Sequence, residues 1–249
     1  MSSLTLWRIA HAVAIVFLMT LGGCATVADA RASPGQRLDP WEGWNRKVFA
    51  FNEGLDKAVL KPVATGYVNV VPSFVRHGVD NFFANVADGW SAVNNVLQGK
   101  GEPALGDVVR FTTNTVFGFL GVLDIASEFG LEHHHEDFGQ TLGAWGFGAG
   151  AYVVLPLLGP SSVRDTLALS VDRFASPTAW TGNGTLQIEI AALQGVTTRA
   201  RLLGAGQVID DASLDKYTFM RDAYLQRRRS LVFDGNPPEL PDPSRPATP

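Results

Sequence analysis

"AWGFGAGAYVVLPLLGP", Ala144 to Pro160, decides how the rest of the chain is read. No charged residue occurs between Asp137 and Arg164, and this stretch is apolar enough to resemble a membrane span. Gly143, Gly146, Gly148, Gly150, Pro156, Gly159 and Pro160 break it, so it cannot run as one helix. Backbone groups freed by such breaks are expensive in lipid, so the segment has to pack on protein or line a cavity. Two forms meet that demand: a buried core hairpin, or a re-entrant, membrane-embedded hairpin whose glycines permit close packing.

Outward from this segment the pattern is helical. Asp39 as N-cap, Pro40 at the first helical position and Glu42 at the third predict a helix start. Trp41, Trp44, Val48, Phe51, Leu55 and Val59 then recur at helical spacing until Pro62, where the pattern should stop. Pro72 opens a second helix with Val75, Val79, Phe82, Val86, Trp90, Val93 and Leu97 on one face, loosened at Gly78 and Gly89. A third is expected from about Ala104 to Glu128, and its middle, "FTTNTVFGFLGVL", carries no charge. Beyond the glycine-rich segment, Ser161 or Ser162 can cap a helix through "VRDTLALSVDRF". Two more are expected over about Leu186 to Leu203 and Asp215 to Val232. No internal repeat and no long β-alternation occurs, which predicts one all-α domain over residues 39–235 and a disordered, proline-rich tail over 236–249.

The N-terminus reads as a processing signal, residues 1–23. Ile9 to Leu21 is an apolar run too short for a comfortable span, and it ends in "LGGC", the lipobox pattern that places small residues before a cysteine to be diacylglycerated. Cys24 is the single cysteine, so it cannot form a disulfide within one molecule. Lipidation there predicts a bacterial envelope protein on acyl anchors, with residues 24–38 as a small, polar tether. Ala25 follows in place of the Asp that commonly retains such proteins at the inner membrane, which favours the outer membrane and its periplasmic side.

Composition agrees. Charged residues make up 18% of the 249, below the roughly 25% of an average soluble protein, and Gly reaches 26 and Phe 15. A formal net charge of -4 with scattered basic residues argues against a nucleic-acid partner.

The crowding of His133, His134 and His135 between Glu132 and Glu136 raises metal or acid/base chemistry. Consecutive imidazoles diverge, H-E-x-x-H is absent, and His77 is the only other histidine after Cys24, so no metal and no cofactor is expected. The stretch reads as a solvated loop at the polar boundary of the apolar segment, with the capacity to sense pH. A catalytic triad lacks G-x-S-x-G, and Ser161 and Ser162 follow Gly159-Pro160 in a turn suited to a cap. The G-x-G-x-x-A match in "GFGAGA" meets Pro156 within two turns and has no parallel-sheet context, which argues against a nucleotide site. The chain is not expected to be an enzyme, nor to couple transport to ATP by itself.

"DPWEGWNRKVFAFN" (Asp39 to Asn52), "LDKAVLKPVATGY" (Leu55 to Tyr67), "VPSFVRHGVDNFFANV" (Val71 to Val86), "VNNVLQGK" (Val93 to Lys100), "EDFGQTLGAWG" (Glu136 to Gly146), "YVVLPLLGPSSVRD" (Tyr152 to Asp165) and "DAYLQRR" (Asp222 to Arg228) closely resemble the MlaA, or VacJ, lipoproteins. The resemblance covers about Asp39 to Asp234 in order. It implies a ring-like bundle of amphipathic helices, embedded chiefly in the inner leaflet of the outer membrane, with a central amphipathic channel. It further implies association with a trimeric porin, removal of mislocalised phospholipids from the outer leaflet, and transfer to a soluble periplasmic carrier that serves an ATP-driven inner-membrane complex. Asn114, Thr115, Gln140 and Thr141, polar in apolar surroundings, are candidates for the headgroup path, with helix-to-helix hydrogen bonding as the alternative. Gly143, Gly146, Arg164 and Asp165 join that set; Arg164 and Asp165 can pair, position a helix, or meet a headgroup phosphate. Trp41, Trp44, Trp90 and Trp145 can anchor at the membrane interface or pack in the core. An acyl hydrolase and an anchored scaffold without a lipid path remain the alternatives.

Overall fold

The structure is a computed structural model that describes residues 38–175, 179 and 181–239. The signal peptide, Cys24, the tether to Arg37 and the tail from Leu240 lie outside the described residues. Everything below concerns the compact unit that begins at Trp41.

The elements, in order, are α1 (Glu42–Leu55), a π-helical turn (Asp56–Leu60), α2 (Lys61–Val70), α3 (Ser73–Leu97), α4 (Gly101–Phe117), α5 (Ile125–Glu128), α6 (Phe138–Ala144), β1 (Tyr152–Leu155), β2 (Gly159–Ser162), α7 (Val163–Ala175), α8 (Gly184–Arg201), α9 (Leu203–Ala212) and α10 (Lys216–Val232). The all-α expectation holds, with the glycine-rich segment adding the two-stranded hairpin β1–β2, antiparallel with Tyr152 opposite Ser162 and Leu155 opposite Gly159. No helix among the described residues is long and apolar enough to cross a membrane.

Three local expectations are corrected and one helix is added. The first helix starts at Glu42, with Trp41 at the cap position and no capping side chain, not at an Asp39 cap. Pro62 does not end it. The N–H of Lys61 reaches back to Asp56 O, a π-type spacing, and Pro62 then falls in the first turn of α2, where its missing N–H is not needed. The third helix breaks at Phe117, because Asn114 O takes both Gly118 N at 3.0 Å and Gly121 N at 2.9 Å and turns the chain through left-handed Phe119, Leu120 and Gly121. Gly121 is required there: its φ is +90°, and a Cβ would stand 2.5 Å from the Asn85 side chain. Leu203–Ala212, between the two helices expected on either side of it, is the helix α9.

The packing of α3 is the reverse of a water-soluble helix. Its apolar stripe, Val75 to Leu97, is exposed or half-buried throughout, and the buried stripe is Gly78, Asn85, Asp88, Ser91, Ala92, Asn94 and Asn95. The face it packs against, on α4, buries Ala104, Asp107, Arg110 and Asn114. Apolar burial is concentrated instead where α1, the hairpin and α10 meet, in a cluster of Val48, Tyr152, Val154 and Tyr217.

That corner also explains why the glycine-rich segment forms strands. Asn45 Nδ2 donates to Tyr152 O at 3.1 Å and its Oδ1 accepts from Val154 N at 2.9 Å. One turn pair further along α1, Asn52 does the same with Leu155 O (2.9 Å) and Leu157 N (2.9 Å). The two amides stand in for a neighbouring strand on the free edge of β1, which leaves that edge satisfied without a wider sheet.

Candidate functional site

Two polar networks occupy the interior. In the first, Arg110 donates from Nε to Asp88 Oδ2 (3.2 Å), from Nη1 to Leu131 O (2.6 Å) and from Nη2 to Asp124 Oδ1 (3.2 Å). Asn114 links Asp124 (3.0 Å) to the backbone of Ala126 (2.8 Å), and Asn85 donates to Thr115 Oγ1 at 2.9 Å. Burial alone would raise the pKa of Asp124, but hydrogen bonds from Ser127 and Asn114 and the charge of Arg110 hold it below the usual carboxylate range.

The histidine stretch belongs to this network, which corrects its reading as a solvated loop. His133 pairs with buried Asp88, and His134 Nδ1 lies 2.9 Å from Oδ1 of Asp107, whose Oδ2 accepts from Asn95 at 2.8 Å. His134 O and Glu136 N are both held by Ser91 Oγ at 2.7 Å. Partial burial and the neighbouring His133 push the His135 imidazole down. Among the described residues no group of three or more metal-ligating side chains is placed to hold an ion.

The second network joins α6, α7 and α10. Asp165 accepts from Arg164 Nε (2.9 Å), from Arg228 Nε and Nη2 (3.0 Å each) and from Tyr224 OH (2.6 Å). Arg228 also grips Asp137 through two bonds, 2.6 and 2.9 Å, while Asp137 caps α6 at Gln140 N. Burial opposes the charge on Asp165, yet Tyr224, Arg228 and Arg164 outweigh it and lower its pKa. Asp172, held by Trp90 Nε1 at 2.7 Å and Phe138 N at 2.9 Å, goes the other way because burial dominates.

Each side chain singled out from the sequence has a place in this frame. Asn114 and Thr115 belong to the first network; Gln140 donates to His135 O and Thr141 to Asn94 Oδ1, both at 2.7 Å; Arg164 and Asp165 pair within the second. All six spend hydrogen bonds within the protein. Gly143 is in close contact, since a Cβ would stand 2.7 Å from Arg164 Nη1, whereas Gly146 and Gly148 face open space. Trp41, Trp44 and Trp145 are exposed, and Trp90 is tied to Asp172. Ser162 Oγ accepts from Asp165 N at 3.2 Å, the cap expected of it, and Ser161 Oγ lies 2.9 Å from Thr166 Oγ1. Sequence reasoning missed Asp88, Asp107, Arg110 and Arg228. The signal was present: Asn85, Asp88, Asn94 and Asn95 keep helical spacing opposite the apolar stripe.

The outer surface is the inverse of this interior. Phe74, Val70 and Phe119 are 75%, 81% and 76% exposed, and Trp44, Leu105, Phe117, Phe129, Leu157 and Leu158 are exposed with them. Val109, Thr113, Phe117, Ile125, Phe129 and Leu131 line an apolar cleft of about 530 Å³ on α4 and α5. Water would leave such a surface without compensation, while acyl chains cover it at no cost.

Hydrogen-bonded polar residues inside and bulky apolar residues outside define the class: a helical protein that presents an apolar outer face and, among the described residues, no helix long and apolar enough to cross a membrane. The chain belongs to the MlaA lipoprotein family, whose model matches residues 37–231. It is 33% identical over 228 residues to the intermembrane phospholipid transport system lipoprotein MlaA of Escherichia coli K12, covering 89% of both chains. It is likewise 33% identical to the protein of that name from Haemophilus influenzae, over 89% of this chain and 90% of the other. An uncharacterized protein of Rickettsia typhi is 34% identical over 78% of each. Among solved structures, one from work on the structural basis for maintenance of bacterial outer membrane lipid asymmetry superposes with a TM-score of 0.70 at 34% identity, covering 80% of this chain and 99% of that one.

Proposed function

We propose that this protein removes mislocalised phospholipids from the outer leaflet of the outer membrane and passes them inward through its own polar-walled passage, maintaining lipid asymmetry. The observation that carries this reading is the inversion of α3 and α4, apolar toward the surroundings and Asn, Asp and Arg inward, in a chain of the MlaA family. Relatives named as intermembrane phospholipid transport lipoproteins support the cargo. Cys24 carries the acyl anchor, the helices form a ring in the inner leaflet, a trimeric porin is the membrane partner, and a soluble periplasmic carrier takes the lipid. Asn114, Thr115, Gln140, Thr141, Arg164 and Asp165 are the internally bonded frame of the passage, and the open glycines Gly146 and Gly148 lie along the route.

Conduction is passive. A lipid crosses because the passage lowers the barrier for its headgroup, and direction comes from removal downstream. The hairpin β1–β2 with its apolar turn, Pro156 to Leu158, sits among acyl chains, since its exposed leucines have no other partner of matching polarity.

The experiment is complementation of a strain lacking its own family member, read as labelled outer-leaflet phospholipid. Gly148→Phe is the decisive variant: its Cβ meets no atom within 4 Å and its φ is not left-handed, so folding is spared. The reading requires raised outer-leaflet phospholipid at normal protein level. Unchanged asymmetry would favour the scaffold, and release of fatty acid by purified protein, abolished by Ser161→Ala, would favour the hydrolase.

A further inference from the structure

A polar corner outside both networks forms where α2 ends, α3 begins and α8 ends. Tyr67 OH and Asp80 Oδ1 are shielded from solvent there, and among the described residues neither has a hydrogen-bond partner. Unsatisfied buried polar atoms are rare in folded proteins and point to an occupant. Arg201 Nε stands 3.8 Å from Asp80 Oδ1, beyond hydrogen-bond reach, on a side chain 60% exposed. Its Nη2 reaches Thr198 Oγ1 only at 3.5 Å. Arg76 donates to Val68 O at 3.3 Å, which leaves most of its guanidinium donors unspent. Ser73, Arg76, His77 and Asp80 follow one another at helical spacing along α3, so the charges share a face. Beside them Val70 and Phe74 are among the most exposed apolar residues of the chain.

The corner therefore holds two guanidinium groups, one carboxylate and one hydroxyl at the edge of an apolar surface. Burial and the adjacent Asp80 push the Tyr67 pKa up, so its hydroxyl remains a donor. A phosphate would satisfy the arginines and the hydroxyl, and an ammonium would satisfy Asp80. We propose that this corner binds the headgroup of a zwitterionic aminophospholipid, with its phosphate between Arg76, Arg201 and Tyr67 and its ammonium on Asp80, while its acyl chains lie along Val70 and Phe74. This rests on the transport reading and adds the headgroup class, which that reading leaves open.

The test uses the full lipoprotein in detergent, offered equal amounts of phosphatidylethanolamine and phosphatidylglycerol with identical acyl chains, with retained lipid counted by native mass spectrometry. The site predicts retention of the ethanolamine lipid by about tenfold over the glycerol lipid, the worth of one charge-assisted hydrogen bond. Asp80→Asn should bring that ratio close to one. Arg201→Gln should weaken both lipids and leave the ratio standing, and Tyr67→Phe, which keeps the ring, should do the same to a smaller extent. Equal retention by the unmodified protein, an unchanged ratio in Asp80→Asn, or binding of inorganic phosphate that displaces neither lipid would overturn the assignment. If the protein restores lipid asymmetry in cells but shows no headgroup preference, this inference alone falls; if it restores nothing, the transport reading falls.

Discussion

Where α1, the hairpin and α10 meet, Val48, Tyr152, Val154 and Tyr217 pack against one another as in a water-soluble core. Between α3 and α4 the buried residues are Asn85, Asp88, Asn94, Asn95, Asp107, Arg110 and Asn114, and the valines and phenylalanines face out. Apolar burial drives the first region together. The second is held by hydrogen bonds and ion pairs that gain strength where water is excluded, so removing one partner leaves another stranded. The two regions should therefore fail in different ways.

The largest effect is expected at Arg110. Arg110→Ala takes the guanidinium from the buried carboxylate of Asp88, leaving it His133 alone, and frees Asp124, with an expected loss of about 3–5 kcal/mol. Denaturant titration of the purified protein in detergent measures it; a loss below about 1 kcal/mol would mean that water already reaches Asp88. The matching change in the apolar corner, Val48→Ala, should cost about 2 kcal/mol, from two methylene equivalents and a small cavity. Asn45→Ala removes both amide bonds to β1 and should cost roughly 1–3 kcal/mol, with faster hydrogen exchange at Val154 N as the local signature. On the exposed apolar face the expectation reverses. Val96→Ser should shift stability in detergent by no more than about 0.5 kcal/mol, yet weaken binding to anionic vesicles in a flotation assay.

Acid provides a further contrast. The pKa of Asp165 is lowered in the folded protein, so its contribution is complete above the unfolded value near 3.9 and is lost as pH falls through the lower folded value. Asp172 is raised, so its ionisation on passing upward through that range opposes folding and its protonation at low pH supports it. Asp165→Asn should flatten the acid limb of the stability curve, and Asp172→Asn should steepen it. Equal curves for the two variants would contradict the opposite signs.

Much of this is legible in the sequence. The lengths of α3, α8 and α10, the Ser162 cap and the broken apolar segment follow from local rules of spacing and capping, which act over a few residues. The inversion of α3 was written in its sequence as plainly as any amphipathic pattern, but the pattern does not state which face meets solvent. Two stripes, Val75 to Leu97 and Asn85 to Asn95, share one helix, and packing in water would bury the apolar one. Asn114, Gln140 and Thr141 stand out in the sequence as polar among apolar neighbours; what each bonds to depends on Asp124, His135 and Asn94, from 5 to 47 residues away.

The sequence by itself determined most of the helices and the membership in a lipoprotein family, because periodicity and ordered motifs are local properties of the chain. Only the tertiary structure decided that His133 and His134 serve Asp88 and Asp107, that Arg228 joins Asp137 to Asp165, and that Asn45 and Asn52 complete the edge of β1. Each of these pairings joins residues from different elements, and a hydrogen bond exists only once packing has brought donor and acceptor within about 3 Å of each other.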